Sequence, residues 1–526
     1  PLSLFEQPAK TSNAILPIAA HKVNFLIKSD FVVFFIFSPL MVGKAPRRKV
    51  CQNGYEVENW TRFRFIEFKY EERGLVCQVS LGQTNLSFLC ICGGLCYIHR
   101  RSQRQHPGTD GDESHPRSSR REDRTFVNPM TDWKRKSKIL ITCPKGISPW
   151  LAGEIRALGF PVLKEEEAAV ETKGTLADTM PLNVHLRTGH RVLYHMTDFA
   201  AENPEDLYRN LRNIPWEEIL HERGEHAYLC VTSTIDTPSI RDIRFANRKA
   251  KDAIVDRIME NCGLRPDSGP DRDRAVVHVF WKGKAVSLYL DTSGEPLSRR
   301  GYRKIPLAAP MQETLAAAVI LATAWNGRED FVNPMCGSGT LAIEAALFAE
   351  GRAPGLLRGN FGFFHLRGFD QAAWRKVRSA AHTARKETAA RITATDIDPR
   401  AVAAARQNAR TAGVEGRIDF SVCPFQETPV SKRGGVVVLN PPYGERTGDV
   451  SDLVDLYRGI GDFFKQSCSG YRGYLFTGNA ALGKKVGLRT SRRIPFFNGE
   501  IECRLLEYEL YTGSRRNRKE EGNGDT

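Results

Sequence analysis

The sequence has no apolar run long enough for a bilayer. Its most apolar stretch, Phe31–Val42, falls short of the ~20 residues a spanning helix needs. Lys22 and Lys28 precede it, but Asp30 abuts it and no small-x-small cleavage site follows, which weakens a secretory-signal reading. A membrane anchor is the competing reading of this stretch. The twelve cysteines are scattered and form no disulfide framework. Cys90, Cys92 and Cys96 make one C-x-C-x3-C cluster, yet no second group of Cys or His stands at zinc spacing, so no metal site is expected. Cys336, Cys423 and Cys468 lie in segments that read as buried or site-adjacent, which suits a reducing, cytoplasmic setting. The chain is also short of acid. Lys plus Arg number 76 against 61 Asp plus Glu, an excess of 15 that favours a polyanionic partner, nucleic acid ahead of an anionic membrane.

A chain of 526 residues is too long for one compact domain. Residues 1–130 differ in composition from the rest, and 99–124 is rich in Arg, Ser, Pro, Gly and Asp. The sequence opens on Pro1, and the working protein is expected to start near Met130, with the preceding region a disordered or non-native extension. From Lys138, a strand Ile139–Cys143 leads to a helix Ser148–Leu158 that stops at Gly159. Pro181–Tyr194 reads as a strand turning into a helix. Tyr228–Thr234 is a strand. Phe245–Arg257 is an amphipathic helix with Arg248, Lys249 and Lys251 on or near one face, suited to tracking RNA phosphates. Val276–Phe280 and Ala285–Leu290 make a hairpin. Two small α+β modules result. Residues 513–526 form a charged tail of disordered composition.

The chemistry concentrates in two turns. Asn333-Pro334-Met335-Cys336-Gly337-Ser338-Gly339-Thr340 follows an apolar stretch and opens a helix, Leu341–Ala349. A strand that turns sharply into a helix leaves main-chain N–H groups free, and small residues let a ligand approach them. The second turn, Asn440-Pro441-Pro442-Tyr443, ends the apolar strand Val436–Leu439. Together they read as a site for S-adenosylmethionine facing a site for a planar amine. An exocyclic base amine is a weak nucleophile because its lone pair is delocalised. Two acceptors, the Asn440 side-chain oxygen and the Pro441 carbonyl, suit its two hydrogens, the prolines keep the turn rigid, and Tyr443 can stack on a base lifted from its helix. The glycine spacing does not fit G-x-G-x-x-G, which argues against a dehydrogenase.

With these motifs in view, the chain resembles the THUMP-containing RNA guanine-N2 methyltransferases. The carrying residues are Arg300-Gly-Tyr-Arg303, Ala309–Ala317, Asn333–Thr340, Thr395-Asp-Ile-Asp-Pro399 and Asn440–Arg446, in the family's order. The resemblance implies an α/β fold: a Rossmann-like class I methyltransferase domain with a doubly wound sheet over 300–512, preceded by α+β ferredoxin-like (134–180) and THUMP RNA-binding (181–291) domains. It further implies S-adenosylmethionine as cofactor and RNA, large-subunit ribosomal RNA first, as substrate. Some relatives carry a second, C-terminal methyltransferase domain; this sequence ends soon after Tyr511. A tRNA guanine-N2 or adenine-N6 methyltransferase, and a catalytically silent RNA-binding protein, are the alternatives.

Residue by residue, Asn333 stands where the family usually has Asp, keeping an acceptor without its charge. Asp396, ending a second strand, is the expected ribose acceptor. Ile397 packs on the adenine, while Asp398-Pro399 caps the next helix. Where the family often presents an acidic residue to the adenine amino group, this chain has Cys423-Pro424-Phe425; the Phe425 N–H can still meet adenine, while the amino contact is missing or moved to Gln426 or Glu427. Pro310, Glu313 and Thr314 resemble the family's segment beside the methionine part of the ligand. Arg300, Tyr302 and Arg303 are expected to touch RNA.

Overall fold

The computed structural model describes residues 23–28, 31–36, 66–71, 74–81, 84–90, 132–305, 307, 311–443 and 450–511. Pro310, Cys92, Cys96, Met130, the basic stretch 99–124 and the tail 513–526 lie outside them. The chain divides into two units, one within residues 1–122 and one within 123–526. The first contains an antiparallel pair, β1 (Val23–Lys28) and β2 (Phe31–Ile36), and an antiparallel meander, β3 (Ile66–Glu71), β4 (Gly74–Leu81) and β5 (Thr84–Cys90).

The second unit opens with β6 (Lys136–Thr142), α1 (Ser148–Ala157), β7 (Val162–Glu166), β8 (Ala169–Thr175), α2 (Thr179–His185) and β9 (Arg191–Ala200). It continues through α3 (Pro204–Arg212), β10 (Tyr228–Asp236), α4 (Ile243–Cys262), β11 (Asp267–Ser268), β12 (Ala275–Lys282) and β13 (Ala285–Asp291). These strands form one eight-stranded sheet in the order β11-β10-β12-β13-β9-β6-β8-β7. The two modules read from the sequence therefore share a sheet, because β9 pairs antiparallel with β6 on one side and with β13 on the other. α4 is the crossover between the parallel strands β10 and β12; Asp242 caps its start and Gly263, at φ +67°, closes its end.

One local reading is reversed. Residues 181–194 form a helix followed by a strand, not a strand followed by a helix. Leu182, Val184 and Leu186 alternate like a strand, but Pro181 sits in the first turn of α2, where its missing N–H costs nothing. Val192, Leu193 and Tyr194 lie in a strand paired on both edges and are all buried, so the two-residue alternation disappears.

The remaining elements are α5 (Glu313–Ala322), β14 (Asp330–Pro334), α6 (Thr340–Ala349), α7 (Gln371–Thr383), β15 (Ile392–Asp396), α8 (Pro399–Ala412), β16 (Ile418–Val422), β17 (Gly435–Leu439), α9 (Val450–Ser467), β18 (Tyr471–Thr477), α10 (Ala480–Lys485), β19 (Arg492–Asn498) and β20 (Ile501–Glu509). They build a seven-stranded sheet, β16-β15-β14-β17-β18-β20-β19, parallel from β16 to β18 and antiparallel through β20 and β19. β14 and β17 are buried at every position, as strands covered on both faces must be. They are also where the strand order reverses. In a doubly wound sheet the crevice beyond the carboxyl ends of such a pair is the binding position.

Candidate active site

The two turns singled out in the sequence meet in that crevice. Both leave the carboxyl ends of neighbouring parallel strands, paired from Asp330 with Gly435 to Val332 with Val437. Asn333 ties the strands together just beyond this register, its Nδ2 donating to the Val438 carbonyl at 2.9 Å. Its Oδ1 is buried and has no hydrogen-bond partner among the described residues. Across the crevice, Asn440 Oδ1 is in the same condition. A buried acceptor left unpaired costs roughly 1–3 kcal/mol. Two such acceptors stand on adjacent strand ends with no donor among the described residues.

The glycine turn holds a strained conformation. Met335, Gly337 and Gly339 have φ of +54°, +54° and +83°, and Met335 is a non-glycine residue in the left-handed region. The two glycines serve different ends. A Cβ on Gly339 would lie 2.8 Å from the Cβ of Ala405, so Gly339 is what lets α8 pack against the start of α6. A Cβ on Gly337 would meet no protein atom within 4 Å, so that position faces open space suited to a ligand. Ser338 and Thr340 are buried with the turn, and Pro334 is the last residue of β14. Burial and the neighbouring Asp396 carboxylate push the Cys336 thiol far above its ordinary range, so it is an inert packing group.

Asp396 ends β15 beside this turn. Its Oδ2 accepts the Gly337 N–H at 2.9 Å and its Oδ1 accepts the Asp398 N–H at 3.0 Å. Each carboxylate oxygen keeps a lone pair for another donor. The carboxylate thus fixes the glycine turn and remains able to receive hydroxyl groups. Ile397, one residue beyond the end of β15, is 70 % exposed. Asp398 accepts the Arg400 N–H as the cap of α8, and Gly413 ends that helix. Phe425 is buried edge-on against Phe463, so its side chain faces the core and only its main chain is left for the crevice.

On the other turn, Pro441 is buried, and the Pro442 carbonyl accepts from Tyr457 Oη at 3.4 Å. The Tyr443 hydroxyl receives Asn498 Nδ2 at 2.9 Å, and its ring lies against Gly478, where a Cβ would come within 2.9 Å of it. These contacts from β19 and the end of β18 hold the aromatic ring upright at the turn.

Three of the residues assigned to RNA sit elsewhere. Arg300 and Tyr302 are each 1 % exposed. Arg300 pairs with Glu344 of α6 at 2.8 Å and donates to the Arg187 carbonyl, and Tyr302 Oη donates to the same Glu344 oxygen. They are the buried tie between the methyltransferase-like sheet and the preceding modules, and they cannot reach RNA. Burial beside Glu344 drives the Tyr302 hydroxyl well above its ordinary range, so it stays a neutral donor. Arg303 is also turned inward, bonding Glu313 Oε1, Ser338 Oγ and the Met311 carbonyl. It braces the start of α5 against the glycine turn. Burial raises the Glu313 carboxyl and Arg303 opposes that rise. Thr314 Oγ1, one residue on, is another buried atom with no partner among the described residues.

On α4, Arg248 is exposed, but Lys249 bonds Glu205 at 2.7 Å and lies over the Tyr208 ring, and Lys251 pairs with Asp252 at 2.6 Å. Lys249 faces α3 and Lys251 is pinned to its neighbour, which leaves Arg248 as the unpaired cation of the three. Asn408 went unnoticed in the sequence. Fully buried in α8, it accepts from Lys304 and Ile305 N–H and donates to the Ile305 and Ser338 carbonyls, clamping two site segments. The signal was present: one amide on an otherwise alanine-lined helix face.

Family comparison agrees with this layout. An RlmL ferredoxin-like domain matches residues 138–193, a THUMP domain 201–291, and an RMKL-like methyltransferase domain (UPF0020) 300–507. Among curated proteins, the ribosomal RNA large subunit methyltransferase K/L of Syntrophotalea carbinolica is 36% identical over 384 residues, covering 71% of this chain and 53% of that one. The protein of the same description from Methylococcus capsulatus is 37% identical over 376 residues, 70% and 50% of the respective chains. The chain thus spans about half the length of the curated relatives it matches. Among solved structures, the methyltransferase SMU.472, complexed with SAH, superposes with a TM-score of 0.63 at 27% identity, covering 72% of this chain and 99% of that one. A protein from Clostridium difficile 630, described as a possible methylase, gives 0.64 at 28%, covering 72% and 100%. Three domain matches in one order, and a crevice at the reversal of strand order, give this chain a ferredoxin-like, a THUMP and an RMKL-like methyltransferase domain, the last on a class I fold whose methyl donor is S-adenosylmethionine.

Proposed function

We propose that this protein transfers a methyl group from S-adenosylmethionine to the exocyclic N2 amine of a guanine in structured RNA, large-subunit ribosomal RNA being the favoured substrate, in the cytoplasm. The observation that carries the proposal is the pair of buried, unpartnered side-chain oxygens, Asn333 and Asn440, on the ends of adjacent parallel strands. Bound there, the cofactor supplies an electrophilic methyl on a sulfonium.

The chain's own residues do the positioning. Asn333 and Glu313, with Thr314, line the end suited to the ligand's amino-acid tail, and the open space over Gly337 admits the main body. Asp396 accepts the ribose hydroxyls with the lone pairs its two N–H donors leave free. Ile397 covers one adenine face, and the Phe425 N–H donates to the adenine edge, while the acidic contact to the adenine amino group is missing or moved to Gln426 or Glu427. Asn440 Oδ1 and the Pro441 carbonyl receive the two amine hydrogens, which aims the nitrogen lone pair along the transfer axis. Tyr443, held by Asn498, stacks on the extracted base. Rate enhancement by such positioning needs no general base of tuned pKa. The names of the curated relatives support ribosomal RNA, and the THUMP match with the excess of 15 cationic side chains supports RNA in general.

The test is incubation with methyl-deuterated S-adenosylmethionine and unmodified ribosomal RNA, followed by nucleoside mass spectrometry. Label on N2-methylguanosine is the expected outcome. Label on N6-methyladenosine would replace guanine by adenine, and absence of cofactor binding would leave only an RNA-binding protein.

A further inference from the structure

A second cleft, of about 400 Å³, opens where the loop before β10 meets the connection between α6 and α7. That volume falls within the ~300–1,000 Å³ of small-ligand sites. None of its lining residues belongs to the two turns of the active site. One wall is aromatic: Phe364 packs against Phe369 at 5.1 Å and edge-on to Trp374 at 5.2 Å. His226 stands opposite, its ring fixed through Nδ1 to His365 at 2.8 Å.

The polar side chains of the cleft are unequally provided for. The Trp374 indole N–H, the Gln371 amide and the Arg378 guanidinium have no hydrogen-bond or ion-pair partner among the described residues. No carboxylate lines the cleft. On the same helix, Arg375 and Lys376 are exposed and add positive charge, part of it offset by the Asp370 carboxylate that caps the helix. An aromatic wall with an unpaired indole N–H and guanidinium beside it, and no carboxylate in the lining itself, suits an aromatic ring joined to an anion rich in acceptors. Nucleotides have that make-up, and single-stranded nucleic acid is held in general by aromatic stacking beside backbone-neutralising cations.

We infer that this cleft holds one unpaired nucleotide of the RNA, apart from the methyl-transfer site, with the base against the half-buried Phe364 and Phe369 and the phosphate on Arg378. The inference rests on the reading that the substrate is RNA. It gives the enzyme a second anchoring point, on the insertion before β15, in addition to its THUMP domain.

A pentauridylate carrying 4-thiouridine, photo-crosslinked to the full chain and mapped by mass spectrometry, tests it. Crosslinks within residues 364–378 are expected. Arg378→Glu, a change at an exposed position, should weaken the pentamer about tenfold, and Trp374→Phe, which keeps the ring but deletes the donor, should weaken it less. S-adenosylhomocysteine affinity should be unchanged in both. Crosslinks confined to other regions, or Arg378→Glu binding within about twofold of the parent, would overturn the inference. Methyl transfer measured on the same samples separates the two readings. Transfer without crosslinks here removes the cleft alone, whereas crosslinks here without transfer keep the cleft and remove the methyltransferase reading.

Discussion

The proposed transfer depends most directly on Asn440. Its oxygen is buried with no partner among the described residues, a cost that the proposed substrate amine would relieve. Asn440→Ala should therefore lower the rate of transfer by at least about 100-fold while S-adenosylhomocysteine binds almost as before. Single-turnover kinetics beside calorimetry would check this split. Asp396→Ala should behave in the opposite way, since the carboxylate receives two main-chain N–H groups and keeps lone pairs for the ribose. Charge-assisted bonds of this kind are worth about 1.5–3 kcal/mol, so cofactor Kd should rise about 10- to 100-fold. An unchanged Kd would contradict the role. At this scale the sequence was informative where a residue type is tied to one task, as with Asp396 at a strand end or Asp398 before Pro399. It misled at Arg300 and Tyr302, because a basic and an aromatic residue beside each other suit RNA as readily as a buried tie. Glu344 held the missing information: a lone carboxylate inside an apolar helix calls for a cation, and Arg300 provides it.

The relevant unit one level up is the strand-turn-helix from β14 into α6. Its geometry depends on Gly339 being without a side chain, because α8 packs directly against it. Gly339→Ala should lower stability by about 1–3 kcal/mol through overpacking and a positive φ, and thermal unfolding would reveal it. It should also weaken cofactor binding by displacing the turn. Elements with strong local punctuation were legible in advance: α8 between Asp398 and Gly413, and the β12–β13 hairpin around Gly283. The α2–β9 segment was not, since a centrally placed strand loses its alternation and a short buried helix can imitate one. Nor does pairing across a sheet show in local pattern, so the continuity of the eight strands through β9 became visible only in three dimensions.

Across the whole molecule, packing sets a pH dependence. Burial, reinforced by nearby Arg191 and Arg272, pushes the His190 and His278 imidazoles down to about 4, and burial beside His226 does the same to His365. Their ordinary value is 6.5, so between these limits the unfolded chain binds more protons than the folded one. Stability is then complete above about 6.5 and falls as pH drops toward 4. The melting temperature should decline between pH 7 and pH 5, and His278→Gln should flatten part of that decline; a flat profile in the parent chain would contradict the assignment.

The two modules, the methyltransferase-like sheet and the buried ties through Arg187, Arg300 and Glu344 set the frame, but the account stands on the crevice between β14 and β17. A crystal structure with S-adenosylhomocysteine tests it most directly. The expected result is ligand density across both strand ends, ribose on Asp396 and sulfur facing Asn440. Density anywhere else, or a ligand that leaves Asn440 Oδ1 on the far side of the sheet from its sulfur, would contradict it.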